Sequence, residues 1–157
     1  MKTFFITLAA LSLTLMSCNS QKQKTVTLGP NPFITHMYTA DPSAHVWEDG
    51  RLYVYASHDI DPPRGCDLMD RYHVFSTDDM VNWTDHGSVY AASKNGAATW
   101  GNNSWAPAAA CKEIDGKMRF FLYFANSGNG IAVLTSDSPT GPFTDPLGAV
   151  SYTHLTL

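Results

Sequence analysis

The chain has 157 residues, of which 44% are hydrophobic and 12% aromatic; this suits one folded domain and is too apolar for a disordered chain. Ten Lys and Arg face 14 Asp and Glu, a formal net charge of -4, so the chain has no basic excess for binding nucleic acid, and that partner is excluded. The three cysteines form no CxxC pair, which excludes a disulfide miniprotein.

Residues 1–17 predict an export signal. Lys2 precedes an apolar run over 4–15, which at about twelve residues is too short to span a hydrocarbon core of about 30 Å. The run ends in residues 15–18, Leu-Met-Ser-Cys, which resemble a bacterial lipobox and make Cys18 the expected lipidation site. An ordinary cleaved secretory signal is the alternative. We expect an exported bacterial lipoprotein, in the periplasm or at the outer membrane or cell surface, that meets a membrane only through its lipid.

The polar segment 18–27 predicts a flexible tether, with folded structure from about Leu28. Beyond it, aromatic and β-branched runs flank two Asp-Gly pairs, the strongest short hairpin signal in a sequence. The predicted strands cover 44–48 and 52–57 around the first pair, 72–76, the stretch near Trp83, 108–114 and 118–124 around the second pair, and 131–135, with 142–145 closing the second unit. No stretch shows a sustained helical period.

The same order of elements occurs twice. The Asp-Gly pairs at Asp49 and Asp115 are 66 residues apart, and the Trp-Thr-Asp at Trp83 and Phe-Thr-Asp at Phe143 are 60 apart. Four strands in each unit favour an all-β fold, a β-propeller, and a β-sandwich is the alternative. Residues 28–150 hold about two blades, whereas a propeller closes with four to eight, so we expect a fragment or an assembly of several copies. Residues 151–157 carry no blade signature and are interpreted as a doubtful, non-native tail.

Two short segments carry candidate chemistry. Asp41 precedes Pro42, which favours extended backbone, so its carboxylate is expected at the start of an innermost strand near the channel mouth, where a general base could act. A turn aspartate is the alternative. Residues 100–107 combine two indoles with small polar side chains, a plausible saccharide platform, although each Trp could instead pack in the core.

The histidines are spread without metal-ligand spacing, so no metal site is predicted. His58 ends a predicted strand and could contact a substrate or be an ordinary loop residue. Residues 59–70 form a turn-rich loop that could shape a pocket wall or be solvated. For Cys66 and Cys111 no disulfide is predicted, since their separation in space is unknown.

Taken together, these motifs resemble a known family of enzymes. Residues 31–33, 38–43, 47–59, 76–83, 104–107 and 136–143 resemble, in order, the opening of glycoside hydrolase family 43. The resemblance implies a five-bladed propeller that hydrolyses arabinose- or xylose-containing hemicellulose with inversion, of the α-L-arabinofuranosidase or β-xylosidase type. It also implies that Asp41 is the general base, that no cofactor is required, and that Ca²⁺ occurs in the complete propeller of some members.

An inverting glycosidase also needs a carboxylic acid about 6.5 to 9.5 Å from the base. The chain has two glutamates, Glu48 and Glu113, and each adjoins a hairpin turn away from the family's acid motif. We therefore expect a base without its acid, and no activity from this chain alone. The alternative is a non-catalytic surface lipoprotein that binds glycans.

The resemblance makes Trp105 the expected sugar-stacking residue. Asn103, Ser104 and His58 are expected to recognise sugar hydroxyls. In many relatives an acidic residue follows the Trp-Ala-Pro motif, whereas here three alanines stand at 108–110, which puts a polar substrate contact there in doubt.

Overall fold

The structure is a computed structural model, and it describes residues 24–26, 32–60 and 68–151. The predicted export signal, Cys18, Cys66 and residues 152–157 lie outside the described residues. Every regular element in the described ranges is a β-strand. Within those ranges there is no helix with the length and apolar character needed to cross a membrane.

The first sheet has five antiparallel strands in the order β1-β5-β4-β3-β2. The four strands that follow β1 form a meander, because consecutive strands of the sequence pair with each other. Tyr53–Ser57 and Tyr72–Thr77, in β3 and β4, are buried on both faces, as expected for central strands. The strands are β1 (Lys24–Val26), β2 (Tyr38–Val46), β3 (Leu52–Asp59), β4 (Arg71–Thr77) and β5 (Trp83–Tyr90).

The second sheet repeats the meander with three strands in the order β6-β7-β8. Its strands are β6 (Ser104–Ile114), β7 (Lys117–Asn126) and β8 (Ile131–Ser136). The predicted closing element at 142–145 contributes one bridge, Thr144 to Thr135, rather than a full strand. Two neighbouring meanders of this kind are the predicted propeller blades.

Both Asp-Gly hairpins form where predicted, with different turns. Asp115 and Gly116 both have positive φ, 52° and 73°, and join β6 to β7 as a two-residue turn. In the first hairpin Trp47 and Arg51 enclose three residues, and Gly50 takes the left-handed conformation at φ 77°. A three-residue loop with a left-handed glycine is the next commonest hairpin form. The Asp-Gly signal therefore predicts the hairpin correctly and does not fix its loop length.

The main core lies between the two sheets. Alternate side chains of β3 and β4 meet alternate side chains of β7, since successive residues of a strand point to opposite faces. Apolar burial joins the two sheets into one unit. Its large members are Tyr53, Tyr55, Tyr72, Val74, Phe120, Leu122, Phe124, Leu134 and Phe143.

A second, smaller cluster covers the other face of the first sheet. Phe75 and Trp83 are buried there together with Val54 and Ala56. Phe33, in the segment before β2, stacks on Trp83 with ring centroids 3.9 Å apart and meets Phe75 edge-on at 5.7 Å. The N-terminal segment thus shields a face that would otherwise be exposed.

Two predicted boundaries need correction. Lys24–Val26 falls within the predicted tether, yet it pairs with β5 as the outermost strand, so the tether prediction is wrong for these residues. The pairing partner lies about 60 residues away in sequence, which no local pattern reveals. Ser151, the first residue of the predicted tail, forms an isolated bridge to Ile131 at the start of β8, so pairing extends one residue past the predicted boundary.

Candidate active site

A β-bulge interrupts one edge strand of each sheet, β2 in the first sheet and β6 in the second, at the same end of the two sheets. In β2 the register passes from Ala40 opposite Ser57 to Ser43 opposite Tyr55. Two residues, Asp41 and Pro42, therefore face one on the partner strand, which defines a bulge.

The same shift occurs in β6. Its register passes from Ser104 opposite Asn126 to Pro107 opposite Phe124, so Trp105 and Ala106 occupy the bulge. Asp41 and Trp105 are therefore equivalent residues of two repeats. Bulges re-aim side chains and are common beside active sites.

Asp41 lies in β2, an edge strand of the first sheet, and its backbone is unusual. Its φ is 49°, in the left-handed region that non-glycine residues rarely adopt and that aspartate tolerates better than most. Its side chain is exposed. The bulge therefore presents a solvated carboxylate at the end of the strand, and a water molecule can reach it.

A second carboxylate lies at this end of the sheet. Asp59 ends β3 opposite Tyr38, and it is half-buried. Burial, and then the negative charge of Asp41, raise the pKa of Asp59 above its ordinary value. Two carboxylates thus share this end of the sheet. From the sequence, Asp59 is expected at the start of a loop that could shape a pocket wall or be solvated.

Two hydrogen bonds bring the bulged ends of the two sheets together. Ala109 donates its backbone N–H to Oγ of Ser43 at 2.9 Å, which joins β2 directly to β6. Tyr72 donates its phenol O–H to the carbonyl oxygen of Trp105 at 2.6 Å. The negative charge of Asp41 contributes, after burial, to raising the pKa of Tyr72, so Tyr72 lies in the field of Asp41 as well. The bulges that carry Asp41 and Trp105 therefore lie at the same end of the two adjoining sheets, the end at which the sequence predicts the channel mouth.

Of the residues predicted to contact a sugar, Asn103 and Ser104 have polar groups that already form hydrogen bonds within the protein. Trp105 is half-buried, and Asn103 is half-buried with its backbone N–H donated to Oγ of Ser127 at 3.2 Å. Ser104 is fully buried, and its N–H and hydroxyl both donate to the carbonyl of Met69, at 2.7 and 3.3 Å. The expected contact of Ser104 with sugar hydroxyls is therefore not supported, because its hydroxyl anchors β6 to the first sheet.

His58 lies one residue before Asp59, opposite Thr39. Its ring packs edge-on against His73 with centroids 5.0 Å apart, and Nδ1 is buried without a hydrogen-bond partner among the described residues. Burial, and then the charge of His73, lower the pKa of His58. A neutral imidazole is therefore favoured beside the two carboxylates.

Neither glutamate can serve as the acid that accompanies Asp41. Glu48 follows Val46 at the far end of β2, and at about 3.3 Å per residue it lies about 20 Å along the strand from Asp41. Glu113 lies at the corresponding far end of β6. Both distances exceed the separation that an inverting pair requires. The described residues thus provide a candidate base and no glutamate acid.

Metal ligands do not gather in the part of the chain that the structure describes. No group of three or more His, Cys, Asp or Glu there could hold an ion, so the Ca²⁺ implied by the resemblance finds no ligand set among these residues. Cys111 is a free thiol.

Two neighbouring antiparallel meanders with equivalent bulges at Asp41 and Trp105 define the class of fold: two blades of a β-propeller. The sequence model of Glycosyl hydrolases family 43 matches residues 30–155, and the chain belongs to this family. The match also extends into the segment 151–157 that the sequence analysis interprets as non-native.

The chain is similar to several characterised proteins. It is 47% identical over 140 residues to the Arabinoxylan arabinofuranohydrolase of Paenibacillus polymyxa, covering 80% of this chain and 22% of that protein. It is 46% identical, with a TM-score of 0.73, to the arabinoxylan arabinofuranohydrolase of Bacillus subtilis in complex with cellotetraose, covering 80% of this chain and 28% of that one. A GH43_1 enzyme from Xanthomonas citri, complexed with xylotriose, matches at 36% identity and a TM-score of 0.58, covering 76% and 35%. The chain thus spans about a quarter to a third of the length of these relatives.

The fold and family predicted from the sequence are confirmed by these matches. Tyr72 and the paired bulges are not predicted from the sequence, and Asp59 is predicted only as part of a loop that could shape a pocket wall. A bulge depends on the register between strands, and only the Asp-Pro pair at Asp41 hinted at one.

Proposed function

We propose that this chain forms the first two blades of a longer exported hydrolase, which removes arabinose or xylose units from hemicellulose such as arabinoxylan. The observation that carries the proposal is the equivalent placement of Asp41 and Trp105 on two neighbouring bulges. The relatives support it, since those at 46 and 47% identity are named arabinoxylan arabinofuranohydrolases. We call this proposed longer protein the complete protein.

In this proposal Asp41 is the general base. Its carboxylate accepts a proton from a water molecule as the water oxygen attacks the anomeric carbon, and the configuration at that carbon inverts. Trp105 offers a flat apolar surface for the C–H face of a sugar ring, and Asn103 and His58 are the proposed contacts for sugar hydroxyls. The acid that protonates the leaving oxygen comes from a later blade.

The test is release of pentose from arabinoxylan by the complete protein. We expect hydrolysis by the wild type, with inverted anomeric configuration in proton NMR. Asp41→Asn should lower the rate by about 10³-fold, within the range for loss of a general base. The 157-residue chain should release no pentose above buffer. Pentose release by that chain alone, or full activity in Asp41→Asn, would contradict the assignment.

A non-catalytic glycan-binding protein is the other function that the sequence allows. It predicts oligosaccharide binding in calorimetry without any pentose release by the complete protein. The relatives that the chain matches are named as hydrolases, which does not favour it.

Anchoring by a lipid at Cys18 is also part of the proposal, and it rests on the lipobox-like residues 15–18. Cells producing the protein should incorporate labelled palmitate, and Cys18→Ser should abolish the label while Cys111→Ser retains it. A labelled Cys18→Ser variant would contradict the anchor.

A further inference from the structure

One buried phenol of the first sheet reaches the backbone of Trp105 in the second sheet. Tyr72 is fully buried in β4, between Ser57 of β3 and Val89 of β5. Its hydroxyl leaves the first sheet and donates to the carbonyl oxygen of Trp105 at 2.6 Å. The acceptor belongs to the very residue at which the register of β6 shifts.

This hydrogen bond holds the backbone of Trp105 at the bulge, where the pairing of β6 with β7 is interrupted. A bulge disrupts the ladder of hydrogen bonds locally, so its backbone depends on other contacts for its position. At Trp105 such a contact comes from the neighbouring blade, through a side chain with no exposed surface and little freedom to move. The height and tilt of the indole at the channel mouth therefore depend on Tyr72.

We propose that Tyr72 is a positioning residue, which sets the place of the Trp105 sugar platform relative to Asp41 across the boundary between the two blades. This inference rests on the proposed function, because it assigns Tyr72 a part in placing the substrate. Tyr72 itself touches no substrate, and its effect passes through Trp105.

The chain offers a matched control. Tyr55 is also buried, and its hydroxyl also crosses to the second blade and donates to a backbone carbonyl, that of Pro139, at 2.6 Å. Pro139 lies in the segment after β8, outside the bulged end of the sheets. Tyr55→Phe and Tyr72→Phe therefore each remove a phenol-to-carbonyl bond between the two sheets, and only the second acts on the site. The Tyr55 hydroxyl also accepts a hydrogen bond from Nε1 of Trp47 at 3.3 Å, so the control removes at least as many bonds as the test variant.

The experiment compares these variants in the complete protein. Both should lower the melting temperature, since each leaves a backbone carbonyl without its donor. Tyr72→Phe should raise KM for arabinoxylan oligosaccharides about fivefold with kcat changed less than twofold, because loss of binding shared by ground and transition states appears in KM. Tyr55→Phe should leave both constants within twofold of the wild type.

A double-mutant cycle tests whether the effect passes through the indole. Trp105→Ala should raise KM, and adding Tyr72→Phe should raise it no further, because the platform is already gone. Equal kinetics for the two phenylalanine variants, or additive effects in the cycle, would overturn the inference while wild-type hydrolysis still supports the proposed function. An inactive wild-type complete protein would overturn both.

Discussion

The backbone of Asp41 makes one residue both unusual and easy to test. Its φ of 49° lies where aspartate and asparagine are several-fold enriched over other non-glycine residues. Asparagine can therefore replace it without added backbone strain, whereas a β-branched residue could not. Loss of activity in Asp41→Asn would thus report the loss of the carboxylate rather than a distorted strand.

Asp59 gives a prediction about stability and pH. Burial and the charge of Asp41 raise its pKa in the folded protein above the ordinary 3.8, so ionised Asp59 destabilises the fold. That penalty is present at neutral pH and absent below 3.8, where the carboxyl is protonated in both states. Asp59→Asn should therefore raise the melting temperature at pH 7 and leave it unchanged at pH 3.

Thermal unfolding followed by circular dichroism at the two pH values checks this. Asp115→Asn is the control, since Asp115 is an exposed turn residue with positive φ that asparagine also adopts. Its melting temperature should match the wild type at both pH values. A lower melting temperature for Asp59→Asn at pH 7 would show that the carboxylate makes a favourable contact instead.

At the scale of the strands, the sequence predicts elements better than their registers. The hairpins at Asp49 and Asp115 are predictable because their turn residues are local signals. The strand that carries Asp41 is predicted to start at Ala44, and in the structure β2 starts at Tyr38. Asp41 and Pro42 are unfavourable in a regular strand, so the sequence hides its first residues. The strand accommodates both residues at its bulge.

The site shows the same division. Residue type and motif are enough to select Asp41 and Trp105 as candidates. The contact of Tyr72 with Trp105 and the interaction of Asp59 with Asp41 cannot be read from the sequence, because they arise between distant segments. Ser104 is expected to face a ligand and is instead fully buried, which alternation along the strand could not show without knowing the bulge.

The N-terminal segment before β2 gives a prediction about packing. Phe33 stacks on Trp83 and covers Phe75, so Phe33→Ala should expose part of the second cluster. For this half-buried ring we expect a loss of about 2 kcal/mol in the free energy of unfolding. Urea denaturation measures the loss. Leu147→Ala, at a side chain that is 55% exposed, is the control and should change stability by less than about 0.5 kcal/mol. Equal losses in the two variants would mean that Phe33 does not shield the cluster.

At the scale of the molecule, the second blade has one face towards the first blade and one face away from it. On the latter, the rings of Phe121 and Tyr123 stack with centroids 6.3 Å apart and remain half-buried. Ala108 and Val133 flank Tyr123 across the three strands. In the complete protein the next blade would cover this face, and in the 157-residue chain nothing described does.

The 157-residue chain should therefore self-associate, since exposed apolar sheet faces bind one another in water. Sedimentation velocity should show the average mass rising with concentration. Replacing Phe121 and Tyr123 together by Thr, which keeps strand propensity, should shift the chain towards monomer, and Leu147→Ser should not. A wild-type chain that stays monomeric at all concentrations would contradict the prediction.

The repeated bulge separates the parts of the molecule that hold it together from the part that decides its chemistry. The ladders on either side of positions 41 and 105 are alike in the two blades, while one position carries a carboxylate and the other an indole. Each blade thus presents one side chain at an equivalent bulge, and a single substitution there changes the chemical group that is presented. Sugar specificity can therefore change at these positions while the pairing of the strands stays the same.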